Sequence, residues 1–115
     1  MTRQIIFHGE YFLEFYKNLD LKVKSKIQYV FELIKQVDRV PEKFLAPMTG
    51  YRGLFEIRIE YNLNIYRIFC CFDEGRLVVL LNGFHKKTQK TPKDEIERAM
   101  RLKSEYFELK KQKNG

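Results

Sequence analysis

Cysteine is scarce in this chain: Cys70 and Cys71 are the only two. They are adjacent within an apolar run, where disulfide geometry is awkward, and no Cys/His spacing suited to a metal accompanies them. They read as small core residues of a reduced compartment. Long hydrophobic runs are also missing. Nothing approaches membrane-spanning length, and Met1-Thr2-Arg3-Gln4 does not lead into the apolar stretch of a signal peptide. A cytoplasmic protein without a membrane partner is therefore expected. The chain lacks a glycine-rich phosphate loop, a nucleophile elbow and an acidic cluster for paired metals. Repeats and low-complexity segments are absent as well. No cofactor or metal is expected, so any phosphodiester chemistry would have to run on Arg, Lys and His.

What is present is a core and an excess of positive charge. Apolar residues make up 44% and aromatics 15% of the 115 residues, enough for one compact domain spanning 1–115. Lys and Arg number 22 against 15 Asp and Glu, a formal charge of +7. That balance favours polyanionic partners such as nucleic acid or an acidic protein, with solubility alone as the plainer explanation.

Periodicity divides the chain. Residues 3–8 have the β-branched and aromatic content of a short strand closed by Gly9. Phe12, Phe15, Tyr16 and Leu19 form one face of a short helix ending near 18–20. Val23, Ile27, Val30, Phe31, Ile34 and Val37 mark a longer amphipathic helix, and the short link predicts an antiparallel helical hairpin. Residues 38–53, punctuated by Pro41, Pro47, Gly50 and Gly53, read as a loop with room for a helical turn. Three strands follow, over 54–61, 65–72 and 77–84, with turns at 62–64 and 73–75. In the first, Phe55, Ile57, Ile59 and Tyr61 face one way and Glu56, Arg58 and Glu60 the other. Thr91 as N-cap and Pro92 at the first helical position then open a last helix with Ile96, Ala99, Met100, Tyr106 and Phe107 on its apolar side. The polar tail 110–115 is expected to fray. The resulting order is β-α-α-β-β-β-α, an α+β fold. Its antiparallel sheet carries the hairpin on one face and leaves the other, with Arg58, open and basic.

The candidate site lies in the second half of the chain. Pairing across a three-residue turn brings Arg58 and Arg67 close without placing them directly opposite. Arg67 is an odd cation in the row of Ile65, Phe69 and Cys71, and a carboxylate partner is expected at Glu56 or Glu60. Guanidinium groups grip phosphate bidentately and stabilise a phosphorane-like transition state. After the last strand come His85, Lys86 and Lys87, then Lys90. Histidine exchanges protons near neutrality and lysines clamp phosphate; a solvated loop is the alternative. His8, beside the first strand, reads as structural.

Gly53-Leu54-Phe55-Glu56-Ile57-Arg58, Tyr66-Arg67-Ile68-Phe69 and Gly83-Phe84-His85-Lys86-Lys87-Thr88-Gln89-Lys90-Thr91-Pro92, followed by Glu95-Ile96-Glu97-Arg98-Ala99, resemble the RelE/ParE toxin superfamily, closest to its phage-derived, HigB-like branch. The resemblance covers nearly the whole chain and implies the RelE-like fold. It also implies the toxin of a type II toxin–antitoxin pair, held by a small helix-turn-helix antitoxin. In the RelE and HigB branches the toxin cuts mRNA on the ribosome without metal, the ribose 2′-OH attacking its own phosphate to leave a 2′,3′-cyclic phosphate. Carried over, Arg58 and Arg67 would hold the scissile phosphate, Lys86 would protonate the leaving oxygen, and His85 is a possible base. Lys86 and Lys87 fall where the family places cations after its last strand; Lys90 joins them as a candidate to bind RNA phosphate. Glu56 replaces a second basic residue of RelE itself. A ParE-like gyrase poison and a non-catalytic relative that binds only antitoxin or nucleic acid are the alternatives.

Overall fold

A computed structural model describes residues 2–114; Met1 and Gly115, with which the expected leader-free start and frayed tail begin and end, lie outside the described residues. The elements are β1 (Gln4–Phe7), α1 (Tyr11–Tyr16), α2 (Leu21–Gln36), β2 (Leu45–Pro47), β3 (Phe55–Tyr61), β4 (Asn64–Asp73), β5 (Leu77–Lys86) and α3 (Lys93–Asn114). The strands form one sheet in the order β1-β5-β4-β3-β2. The fold is α+β, as expected, with one strand more than expected. β2 lies in the presumed loop and pairs antiparallel with β3, Ala46 opposite Glu56. Three residues ending in proline are too short to show a period.

The sheet is mixed rather than antiparallel. β1 occupies an edge and runs parallel to β5, with Ile5 opposite Val78. The whole chain between them acts as the crossover that parallel neighbours require. Arg3 ties this edge strand to the end of α2, donating to the carbonyls of Ile34, Val37 and Asp38 at 2.7–2.9 Å. A cation there also meets the negative end of the helix dipole.

Both faces of the sheet are packed. On one, α1 and α2 bury Phe12, Val23, Ile27, Val30, Phe31 and Ile34 against Ile57, Ile59, Tyr66, Ile68, Val78 and Leu80. The amphipathic spacing of α2 is thus what its sequence required. The opposite face, expected to be open, carries a second core of Leu54, Phe69, Cys71, Val79, Leu81 and Phe84 under Ile96, Ala99 and Leu102 of α3. Each buried Leu, Ile, Val or Phe among them contributes about 1.5–3 kcal/mol by leaving water, so this covering is strongly favoured. α3 starts at Lys93, one residue later than expected, with the Pro92 carbonyl accepting from the amides of Glu95 and Ile96. It continues to Asn114 instead of fraying from Lys110. Lys110 donates to Asp73 at 2.7 and 2.9 Å and the Tyr106 hydroxyl donates to Asp73 at 2.7 Å, which clasps the helix to the end of β4.

Two turns set the register. Tyr61 pairs with Asn64, so the β3–β4 turn has two residues, Asn62 and Leu63, and not three. Asn62 supplies the left-handed backbone (φ 55°) such a tight turn needs. Glu74 (φ 51°) and Gly75 (φ 76°) do the same between β4 and β5.

Candidate functional site

The shorter turn shifts the β3–β4 pairing by one residue, and Arg58 therefore stands directly opposite Arg67. The expectation of an offset neighbour is corrected by the length of that turn. Two guanidinium groups facing each other across a ladder repel, and Glu56 sits where it offsets this. Arg58 Nε donates to Glu56 Oε1 at 2.8 Å, and Arg67 Nε lies 3.7 Å from the same oxygen. The alternation of β3 puts Glu56 and Arg58 on one face, as its sequence indicates. The carboxylate expected beside Arg67 is Glu56.

Glu56 and Arg67 are both buried, at 5% and 8% exposure. Burial lowers the pKa of Arg67 from its ordinary value; Glu56 opposes that shift, Arg58 adds to it, and Glu60 opposes it. Arg67 donates through Nη1 to the Tyr66 carbonyl at 3.2 Å, while Arg58 reaches the Glu42 carbonyl at 3.3 Å. Glu56 Oε2 and Arg67 Nε have no hydrogen-bond partner in the protein. One carboxylate thus serves two guanidiniums, leaving the trio with a net positive charge and unused hydrogen-bonding capacity. An anion accepting from the outer guanidinium N–H groups would offset that charge.

β5 extends to Lys86, so His85 and Lys86 belong to the strand and do not follow it, as had been expected. Their sides are fixed by a β-bulge. Cys70 pairs with Leu80 but Ile68 pairs with Gly83, leaving Leu81 and Asn82 both opposite Phe69. The extra residue is held by Asn82, fully buried, whose amide donates to the carbonyl and side chain of Glu95 at 3.2 and 3.1 Å. A bulge reverses the alternation beyond it. Phe84 therefore joins the α3 side, opposite Arg67, and Lys86 follows on that side opposite Ile65. Lys86 is a diagonal neighbour of Arg67, within reach of a long side chain.

His85 turns the other way. Its ring stacks on Tyr66, a member of the α1–α2 core, with centroids 4.6 Å apart. The structure brings Arg58, Arg67 and Lys86 onto one face and places His85 on the opposite one. Lys87 and Lys90 lie exposed in the link to α3, where Thr88 Oγ1 donates to the Lys90 carbonyl at 2.7 Å. The alternation in the sequence could not assign these sides, because nothing in Leu81-Asn82-Gly83 announces a bulge.

His8 is structural: buried, with Nε2 2.7 Å from Glu105 Oε1 on α3. Cys70 and Cys71 are free and buried, and burial raises both thiol pKa values, that of Cys71 to about 11. Among the described residues no group of three or more His, Cys, Asp or Glu side chains is arranged to hold a metal ion. No helix is long and apolar enough to cross a membrane among them.

No curated protein matches the sequence. Residues 14–104 match the family described as "Phage derived protein Gp49-like (DUF891)". That span runs from α1 through the arginine strands, the bulge and the Lys86 face into α3, and so includes every candidate side chain discussed above. The chain belongs to this Gp49-like family of phage-derived, RelE/toxin-like proteins.

Proposed function

We propose that the protein is the toxin of a toxin–antitoxin pair and acts as a metal-independent endoribonuclease on mRNA in the ribosome. The observation that carries the reading is the Arg58–Arg67 pair, directly opposed around one shared carboxylate with Lys86 diagonal to it. A phosphodiester bridging the two guanidiniums would take up their spare donors. As the 2′-oxygen attacks, negative charge builds on the non-bridging oxygens, and fixed donors aimed at them stabilise that charge more than the ground state.

The proton balance closes on the same face. The 2′-hydroxyl proton passes to a carboxylate, the P–O5′ bond breaks, and Lys86 donates a proton to the departing 5′-oxygen. Glu60 suits the accepting role: it is exposed, pairs with Ile65 in the row that ends at Lys86, and acts electrostatically on Arg67. Glu56, engaged by both arginines, positions them. His85 stands outside these transfers. The family suggests an antitoxin as partner, and a small helix-turn-helix protein is the expected form.

The test is primer extension on mRNA from cells expressing the protein. Wild type should arrest growth and leave discrete cuts within translated codons. Arg58→Ala and Arg67→Ala should each reduce cleavage about a hundredfold or more, the usual cost of removing one transition-state donor. Intact mRNA in arrested cells would overturn the nuclease reading. Undiminished toxicity of the folded double variant, with induction of DNA damage, would favour a gyrase poison.

A further inference from the structure

We infer that the His85–Tyr66 stack is a shelf for one unpaired nucleobase, set on the opposite side of β5 from the phosphate-binding cations. The inference rests on the RNA reading above and specifies how the strand is gripped. Tyr66 is the buried half of the stack, and its ring is braced by Phe15 at 6.4 Å. Phe15 in turn fills the space beside Gly83, where a Cβ would fall 2.5 Å from its ring. His85 is the outer layer. It is exposed, its plane lies within 21° of Tyr66, and among the described residues its ring meets no other aromatic. The imidazole thus stacks on a fixed ring while the residue itself is exposed to solvent.

A supported flat ring is one half of single-strand recognition; the other is positive charge that follows the backbone. Here the charge is contiguous with the ring. Lys86 emerges on the arginine face, and Lys87 and Lys90 are exposed in the following link. A strand passing around the tip of β5 would lay a base on His85 while its phosphates run past Lys87 and Lys86 towards Arg67. A peptide partner would not use this alternation of one flat ring and flanking cations so fully. The role needs the ring face of His85 and none of its proton chemistry.

That distinction gives the test. A hexaribonucleotide carrying 2′-O-methyl groups, which prevent cleavage, is titrated into wild type, His85→Ala and His85→Phe by fluorescence anisotropy. His85→Ala should bind about five- to a hundredfold more weakly, the usual worth of one stacked base. His85→Phe should stay within about twofold of wild type. An abasic site moved along the strand should, at one position, weaken wild type by a similar factor and leave His85→Ala unaffected. Far-UV circular dichroism checks that the variants are folded.

Equal binding by wild type and His85→Ala overturns the shelf. So does a His85→Phe as weak as His85→Ala, which would assign the imidazole proton a role instead. Indifference to every abasic position, or no binding by wild type, overturns it too. Ribosomal cleavage decides the nuclease separately: a His85→Ala protein that cuts as well as wild type removes the shelf and keeps the nuclease.

Discussion

At the scale of the residue, Glu56 governs the behaviour of its neighbours. It is nearly inaccessible, yet two guanidiniums converge on one of its oxygens. Removing the charge leaves two opposed cations, one of them buried, and breaking a buried ion pair in this way costs on the order of 3 kcal/mol. Glu56→Gln should therefore lower the urea midpoint without changing the slope of unfolding, and an unchanged midpoint would show that the carboxylate bears little of the load. Adding phosphate or sulfate should stabilise the variant more than wild type, because an anion then replaces the missing charge. The partnership of Arg67 with a carboxylate was legible in the sequence, since an arginine in an apolar strand row needs one. Its direct opposition to Arg58 was not. That depends on whether Asn62-Leu63-Asn64 spends two residues or three in the turn, and a left-handed asparagine permits either. The cysteines behave as their composition suggests: with Cys71 raised to about 11 and Cys70 also raised, thiol reagents should modify both only on unfolding.

At the scale of the element, α3 is held at its far end by a polar clasp whose strength depends on pH. Hydrogen bonding from Lys110 lowers the pKa of Asp73, partly opposed by burial and reinforced by Tyr106. A depressed carboxylate contributes stability above its unfolded value of about 4, and that contribution is lost as pH falls through the folded value. Tyr106 is pushed up to about 12, by burial first and then by Asp73. A raised phenol contributes fully below its unfolded value of about 10, and the contribution is lost as pH rises towards 12. Denaturation midpoints should therefore be flat between about pH 5 and 9 and fall on both sides. Asp73→Asn should weaken both losses, and a variant with the wild-type profile would remove the clasp from the account. The apolar stripe of α3 was evident from Ile96, Ala99 and Met100. Its last turns were not, because Lys110-Lys111-Gln112-Lys113 shows only polarity, and the carboxylate that makes Lys110 useful lies 37 residues earlier in the chain. β2 escaped for a similar reason: it exists because β3 offers an edge, and no pattern of its own requires it.

At the scale of the whole molecule, the sheet is a partition. Core residues occupy both sides, so chemistry is pushed to the tips of β3, β4 and β5, where the second core ends. The excess of cations makes those tips sensitive to ionic strength. With about three to five phosphate contacts, the logarithm of RNA affinity should fall against the logarithm of salt with a slope of roughly −2 to −3.5. A slope near zero would deny the phosphate role. Which side chains meet at those tips depends on Asn82. Because the sheet counts residues in twos, whether the extra residue of β5 is bulged or paired decides whether an imidazole or an ammonium joins the arginines. Pairing Leu81 and Asn82 in regular register, with no residue lost, would exchange His85 and Lys86 between the faces, turning a phosphate clamp with an amine into one with an imidazole. The chain thus carries two alternative reactive faces in one stretch of sequence, and a lone buried amide bonded to Glu95 selects between them.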